Sequence, residues 1–284
     1  MSTTPVRPPV NEVVISASFE PQAVLDGPRL MVGMSDILAE FPDVTEMPPY
    51  EMAAELPTAE QVLQPAVPQI QFICAPKMQR RRLWFTKTDE PALLVQAQSN
   101  YLALNWRRQD DEIEYPEFED LLDRFSRYLS IVETACIRSG GQRLSLSQIE
   151  ITYINILKPD GAWGSFRDIN HVVAVQVPDM EKFEHFNLGY AQAIEDSESG
   201  AFLGRVHVAV STAYQPKIIA GNELHPLSVR DMSPVLNLSI TARSGKLSEL
   251  VDTISPRFEL AYSAVECAFR KITTEAARQT WGLA

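Results

Sequence analysis

Between Tyr115 and Arg138 the apolar residues Phe118, Leu121, Leu122, Phe125, Leu129, Val132 and Cys136 recur at helical steps, and Gly140-Gly141 closes the run. This spacing predicts a long amphipathic helix. Its apolar stripe must be buried against another layer of structure, and the sequence on either side supplies mainly strands. Before it, Val13, Ile15, Ala17 and Phe19 alternate with Val14, Ser16 and Ser18 up to Glu20-Pro21, the pattern of a half-buried strand. Leu30, Met31, Met34, Ile37, Leu38 and Phe41 predict a second helix over Leu25 to Phe41, stopping before Pro42. Six prolines from Pro42 to Pro68 forbid a long helix there and leave a short edge strand over Tyr50 to Leu56. The runs Ile70 to Ala75, Arg82 to Thr88 and Leu93 to Arg107 predict an antiparallel meander, the last two joined through Asp89-Glu90-Pro91.

The sequence after the double glycine follows a similar order. Gln148 to Leu157, Gly204 to Tyr214 and Val235 to Arg243 read as strands, Trp163 to His171 as a loop or short helix, and Phe183 to Ile194 leaves helix and strand open. A helical tract begins near Lys246, is interrupted at Ser255-Pro256, and continues through Phe258, Ala261, Val265, Phe269 and Ile272. The expected fold class is α+β, built from two duplicated halves of strand, helix, antiparallel meander and long helix. Both long helices pack on one face of the sheet, in a saddle-like or helix-grip-like arrangement. Residues 1–9, with three prolines, form a flexible arm; 10–141 and 142–284 are the halves, which could join as one continuous domain.

Composition narrows the function. Twenty-five Lys and Arg against thirty-seven Asp and Glu give a net charge of −12, so nucleic acid and anionic membranes are disfavoured partners. The start has no apolar core of a signal peptide, and no apolar run is long enough to span a bilayer, so a cytoplasmic protein is expected. Cys74, Cys136 and Cys267 make no Cys-x-x-Cys spacing, and His171, His185, His207 and His225 make no helical metal pair. No metal and no cofactor are therefore expected. His207, between Val206 and Val208, reads as solvent-facing or as a satisfied core position. Glu150 lacks companion carboxylates at nuclease spacing, and no nucleophile elbow, P-loop or dinucleotide fingerprint occurs, so no catalytic residue is assigned and the chain is expected not to be an enzyme.

One region is locally basic. Arg80, Arg81 and Arg82 precede Trp84, and a neighbouring strand ends Asn105, Trp106, Arg107, Arg108. If these strands pair across the Glu90 turn, five arginines and two tryptophans meet near one sheet edge, a combination suited to partner recognition. Equally weighted is a bland arrangement in which both tryptophans face the core and the arginines neutralise Asp110, Asp111 and Glu112.

Five motifs then recur in order along the chain: Pro8-Pro9 followed by Asn11-Glu12-Val13-Val14, Leu104-Asn105-Trp106-Arg107, Tyr115-Pro116-Glu117-Phe118, Gln148 to Asn155, and Phe269 with Thr273-Thr274 and Trp281-Gly282. With them the chain resembles a sporadically distributed family of uncharacterised bacterial proteins of similar size. The resemblance implies no activity, cofactor or catalytic residue; patchy occurrence is typical of mobile genes, antiphage and toxin–antitoxin modules among them. The expected function is non-catalytic binding of a protein partner, as an accessory or neutralising component of such a system, with a homodimer permitted. The alternative is a small-molecule or nucleotide sensor with a cavity between the sheet and the long helices.

Overall fold

The computed structural model describes residues 8–25, 28–57, 81–110, 115–159, 163–177, 184–216 and 232–283. Arg80, the run Ile70 to Ala75 and residues 1–7 of the predicted arm lie outside them. The fold is α+β around one antiparallel sheet of ten strands. The strands are β1 (Val10–Phe19), β2 (Asp43–Met47), β3 (Arg82–Thr86), β4 (Leu93–Gln98), β5 (Tyr101–Arg107), β6 (Ser145–Leu157), β7 (Asn187–Glu195), β8 (Phe202–Pro216), β9 (Met232–Ser244) and β10 (Glu249–Leu250). The helices are α1 (Pro28–Gly33), α2 (Ser35–Glu40), α3 (Phe118–Arg138), α4 (Ser255–Ile272) and α5 (Glu275–Thr280).

The strand order is β2-β3-β4-β5-β1-β6-β9-β8-β7, with β10 added alongside β6. The chain's first strand therefore lies at the centre, antiparallel to β6 through Val14 opposite Thr152 and Ile15 opposite Ile151. Read outward from this seam, β1-β5-β4-β3 and β6-β9-β8-β7 follow the same plan: an opening strand beside the last strand of the following meander.

Strand alternation divides the sheet into two chemically different faces. Val13, Ile15 and Ala17 of β1, Ile149 and Ile151 of β6, and Leu238 and Ile240 of β9 are buried in one apolar core with Phe118, Leu121 and Phe125 of α3 and Phe258 of α4. The two long helices also meet each other. The rings of Phe118 and Tyr262 stack at 4.0 Å, and Phe125 meets Phe258 edge-on at 5.4 Å. Pro256 occupies the first turn of α4, where a missing N–H costs nothing. At the end of this core Tyr115 and Tyr153 share a hydroxyl hydrogen bond of 2.6 Å, and burial pushes the Tyr115 phenol up to about 12.

Several expectations are corrected. The helix predicted over Leu25 to Phe41 is divided into a 3-10 turn and two short helices, with a turn at Met34. The edge strand lies at Asp43–Met47, where Val44 pairs with Phe85, and Tyr50 to Leu56 has no regular structure. The run Leu93 to Arg107 reverses at Ser99-Asn100 into two paired strands. Of Phe183 to Ile194, Asn187 to Ile194 is strand β7, and residues 184–186 have no regular structure. The tract from Lys246 makes β10 and a 3-10 turn before its helix begins at Ser255. Among the described residues no helix is long and apolar enough to cross a membrane.

Candidate functional site

The candidate site is the sheet face opposite the long helices. On β3, β4 and β5 that face carries Arg82 and Trp84, Gln96 and Gln98, and Tyr101 and Asn105. Gln96 is buried and hydrogen-bonded at both ends. Its carbonyl oxygen accepts from Trp84 Nε1 at 2.9 Å and from Arg82 Nη1 at 3.1 Å, while its Nε2 donates to Asn105 Oδ1 at 2.7 Å. Asn105 Nδ2 in turn donates to Glu12 Oε1 at 2.8 Å. The guanidinium of Arg82 also lies over the rings of Tyr50 and Trp84. These bonds fix the orientation of Trp84, Gln96 and Asn105, each of which would otherwise be left with an unpaired polar atom in a water-poor layer, while Arg82 Nε is buried without a hydrogen-bond partner among the described residues.

The second half of the face is ionic. Glu150 on β6 is opposite Arg243 on β9, and Arg243 is opposite Arg205 on β8, with His207 two residues further along. Arg243 reaches Glu150 Oε2 through Nε at 2.6 Å and through Nη2 at 2.5 Å. The second carboxylate comes from outside the sheet. Glu55, 4% exposed, receives Arg205 Nη1 at 2.5 Å, Arg243 Nη1 at 3.0 Å and His207 Nε2 at 2.5 Å. Burial opposes the charge on Arg243, but Glu150 and then Glu55 outweigh it and hold the guanidinium above its ordinary value. Among the described residues two carboxylates face two guanidiniums, in a layer where an unpaired ion would be costly.

Glu55 arrives on a segment whose contacts step across the sheet from β4 to β6 and on to β9 and β8. Tyr50 donates its backbone N–H to Gln98 Oε1 at 3.0 Å and accepts at its carbonyl from Gln98 Nε2 at 3.1 Å. Further along, Gln148 Nε2 donates to the carbonyl of Ala53 at 3.1 Å and Arg205 Nη2 to that of Leu56 at 3.1 Å. From β4 to β9 is four strand spacings, about 19 Å. The five steps from Tyr50 to Glu55 span at most about 18 Å of backbone, and the side chains of Gln98, Glu55 and Arg243 cover the rest. The sheet therefore holds a short crossing chain by amide and guanidinium contacts to its backbone and by one buried carboxylate anchor.

The basic residues singled out from the sequence do not converge. Leu83 is level with Leu102, and Trp106 is four residues further along β5, about 13 Å away at roughly 3.3 Å per residue. The hidden turn at Ser99-Asn100 is the reason, since β3 pairs with β4 rather than with the strand ending at Arg107. Arg82, Trp84 and Asn105 share the polar face. Trp106, 4% exposed, points into the core, edge-on to Tyr115 at 5.5 Å and beneath the guanidinium of Arg108. Arg108 donates to the carbonyl of Pro8 at 3.2 Å, tying down the entry to β1. Arg81 makes an exposed pair with Glu46 at 3.0 Å, and Arg107 is exposed opposite Glu12 in the register. The Glu55 cluster had no local sequence signal, because its members lie far apart in the chain. The available signal was alternation: Arg205 and His207 occupy the same face of a strand whose other face is Val206, Val208 and Val210.

Among the described residues no group of three His, Cys, Asp or Glu side chains could hold a metal ion. No family model matches the chain, and neither the curated proteins nor the solved structures contain a match.

Proposed function

We propose that this chain is a non-catalytic binding protein that recognises a protein partner through the polar face of its sheet. We assign it as an accessory or neutralising component of a bacterial defence or toxin–antitoxin-type system. The observation that carries the reading is the bound segment: Gln98, Gln148 and Arg205 contact the backbone of a peptide that crosses the sheet. Peptide recognition by an extended chain uses this division of labour, main-chain hydrogen bonds for affinity and a buried side chain for specificity. The net charge of −12 adds long-range steering toward a basic partner.

The two halves are read as copies of one unit. Glu12 opposite Arg107 corresponds to Glu150 opposite Arg243, and Pro116-Glu117-Phe118-Glu119 corresponds to Pro256-Arg257-Phe258-Glu259 at the start of each long helix. On this reading Arg107 is the exposed counterpart of a buried arginine, and the helices ride one saddle-like sheet. The test is co-expression of the tagged chain with the product of an adjacent gene. Capture is expected from the wild type and lost from a variant carrying Arg81→Glu and Arg107→Glu, two exposed positions flanking the face. Undiminished capture by that variant removes the reading.

A further inference from the structure

Glu55 is the only residue between Tyr50 and Leu56 whose side chain is buried, while Glu51, Ala53 and Ala54 are exposed. The segment is thus held by one buried carboxylate, ring contacts at Tyr50, a Ser18 contact at Met52 and a few side-chain hydrogen bonds to its backbone, not by a strand ladder. The receptor side is built from three different strand positions, each fixed by the sheet. Arg205 is buried, Arg243 is held by Glu150, and His207 remains 40% exposed at its side chain, giving the cluster an opening to solvent. Removing Glu55 alone would take from Arg205 and Arg243 the carboxylate they share in a poorly solvated layer. Replacing it with another carboxylate would leave every pair intact, so the exchange costs far less than the vacancy.

We infer that Arg205, Arg243 and His207 form a carboxylate-recognition site filled in cis by Glu55, and that its external ligand is a glutamate on an extended segment of the protein partner, which displaces residues 50–56. This rests on the proposed function and names the chemistry of the partner. Three observations favour an acidic peptide over a free anion. The cis occupant is itself a peptide. The hydrogen bonds flanking the anchor, from Gln98 to Tyr50 and from Gln148 to Ala53, read main-chain atoms, beside ring contacts of Tyr101 and Arg82 at Tyr50 and a Ser18 contact at Met52. The anchor meets β9 and β8 while Tyr50 meets β4, so a ligand that uses the whole row must be a chain. Overall acidity then serves the partner's basic surface while this one positively lined site captures a local acidic element, a pairing that fixes register as well as attraction. A tethered segment competes at an effective concentration in the millimolar range, so the site is closed to weak peptides and opens to a partner that brings additional surface.

The test uses the full chain and a terminally blocked peptide of residues 50–57, followed by fluorescence polarisation. Glu55→Gln weakens the tethered occupant, so this variant is expected to bind the peptide at least about tenfold more tightly than the wild type. A peptide with glutamine at the anchor is expected to lose at least about tenfold in affinity, as one lost charged contact implies. Equal affinity of the two chains, or indifference to the glutamine exchange, overturns the inference. If Glu55→Gln does not hold its fold in a thermal melt, the wild type decides: saturating peptide must raise amide exchange across residues 50–57, and unchanged exchange overturns it. Peptide exchange needs no partner. Its failure with partner capture intact removes the carboxylate site and leaves the proposed function standing, whereas lost capture with intact exchange does the reverse.

Discussion

Replacing Arg243 by methionine removes the guanidinium that joins Glu150 to Glu55 while keeping most of its aliphatic stem. Its side chain is 15% exposed and that of Glu150 9%, so solvent does little to screen the pair. After the substitution Glu55 keeps Arg205 and His207, but Glu150 retains only a 3.4 Å contact from Thr152 Oγ1. Breaking one side of a buried ion pair costs about 3–5 kcal/mol, most of it from the stranded partner. Because Glu55 stays paired, the lower end, about 3 kcal/mol, is expected for Arg243→Met. Exchanging Glu150 for methionine as well removes the stranded carboxylate. The double variant should then be more stable than the sum of the single effects predicts, by at least about 1 kcal/mol. Urea unfolding followed by circular dichroism measures all three, with an unchanged slope required before midpoints are compared. Single-variant losses under about 1 kcal/mol, or additivity within about 0.5 kcal/mol, would refute the claim that the row is a coupled ionic layer.

Gly204→Ala should destabilise by about 1–3 kcal/mol although alanine is ordinarily the better strand residue, because its Cβ would lie 2.3 Å from the carbonyl oxygen of Arg243 across the ladder; a melting temperature at or above the wild type's would contradict this. Gln96→Leu strands Trp84 Nε1 and Asn105 Oδ1 and should cost about 2–4 kcal/mol, read from chemical denaturation, with a tryptophan emission shift reporting the loss at Trp84. Burial opposes the charge on Glu40, but hydrogen bonds from Arg127 and Tyr128 outweigh it and hold the group below its ordinary 4.5. It therefore adds stability at neutral pH that drains as acid takes the pH down through and below that value, and a Glu40→Gln variant should show a shallower acid limb in pH-dependent melts. Tyr115, raised by burial from 10.0 to about 12, has the opposite sign: its contribution is whole below pH 10 and is lost as pH climbs toward the folded value. Tyr115→Phe should flatten that alkaline loss, measured the same way.

The elements legible in the sequence are those with one buried face. β1, β8, β9, α3 and α4 each show a clear apolar period because the other side meets water or a polar layer. β5 failed the same reading. Tyr101 to Trp106 is buried throughout, so alternation disappears and the Ser99-Asn100 turn, without glycine or proline, is hidden inside one apolar run. Leu25 to Phe41 kept a helical period across a break because both short helices bury the same side, through Leu30, Met34 and Ile37. Of the basic residues, Arg82, Trp84 and Asn105 share the polar face as strand parity dictates; Trp106 does not, being of opposite parity to Asn105. Glu55 could not have been placed, since its environment depends on a segment lying across strands that the chain forms long afterwards.

The position of β1 has a consequence for synthesis. Until β6 leaves the ribosome, the chain's opening strand can pair with β5 but has an unpaired edge on its other side, with Val14 and Ile15 among its residues. Nascent copies on one messenger are thus most adhesive between emergence of β5 and emergence of β6, an interval containing the whole of α3. Slow codons placed there would lengthen the exposure, and a chaperone acting on this protein has most to do during that window.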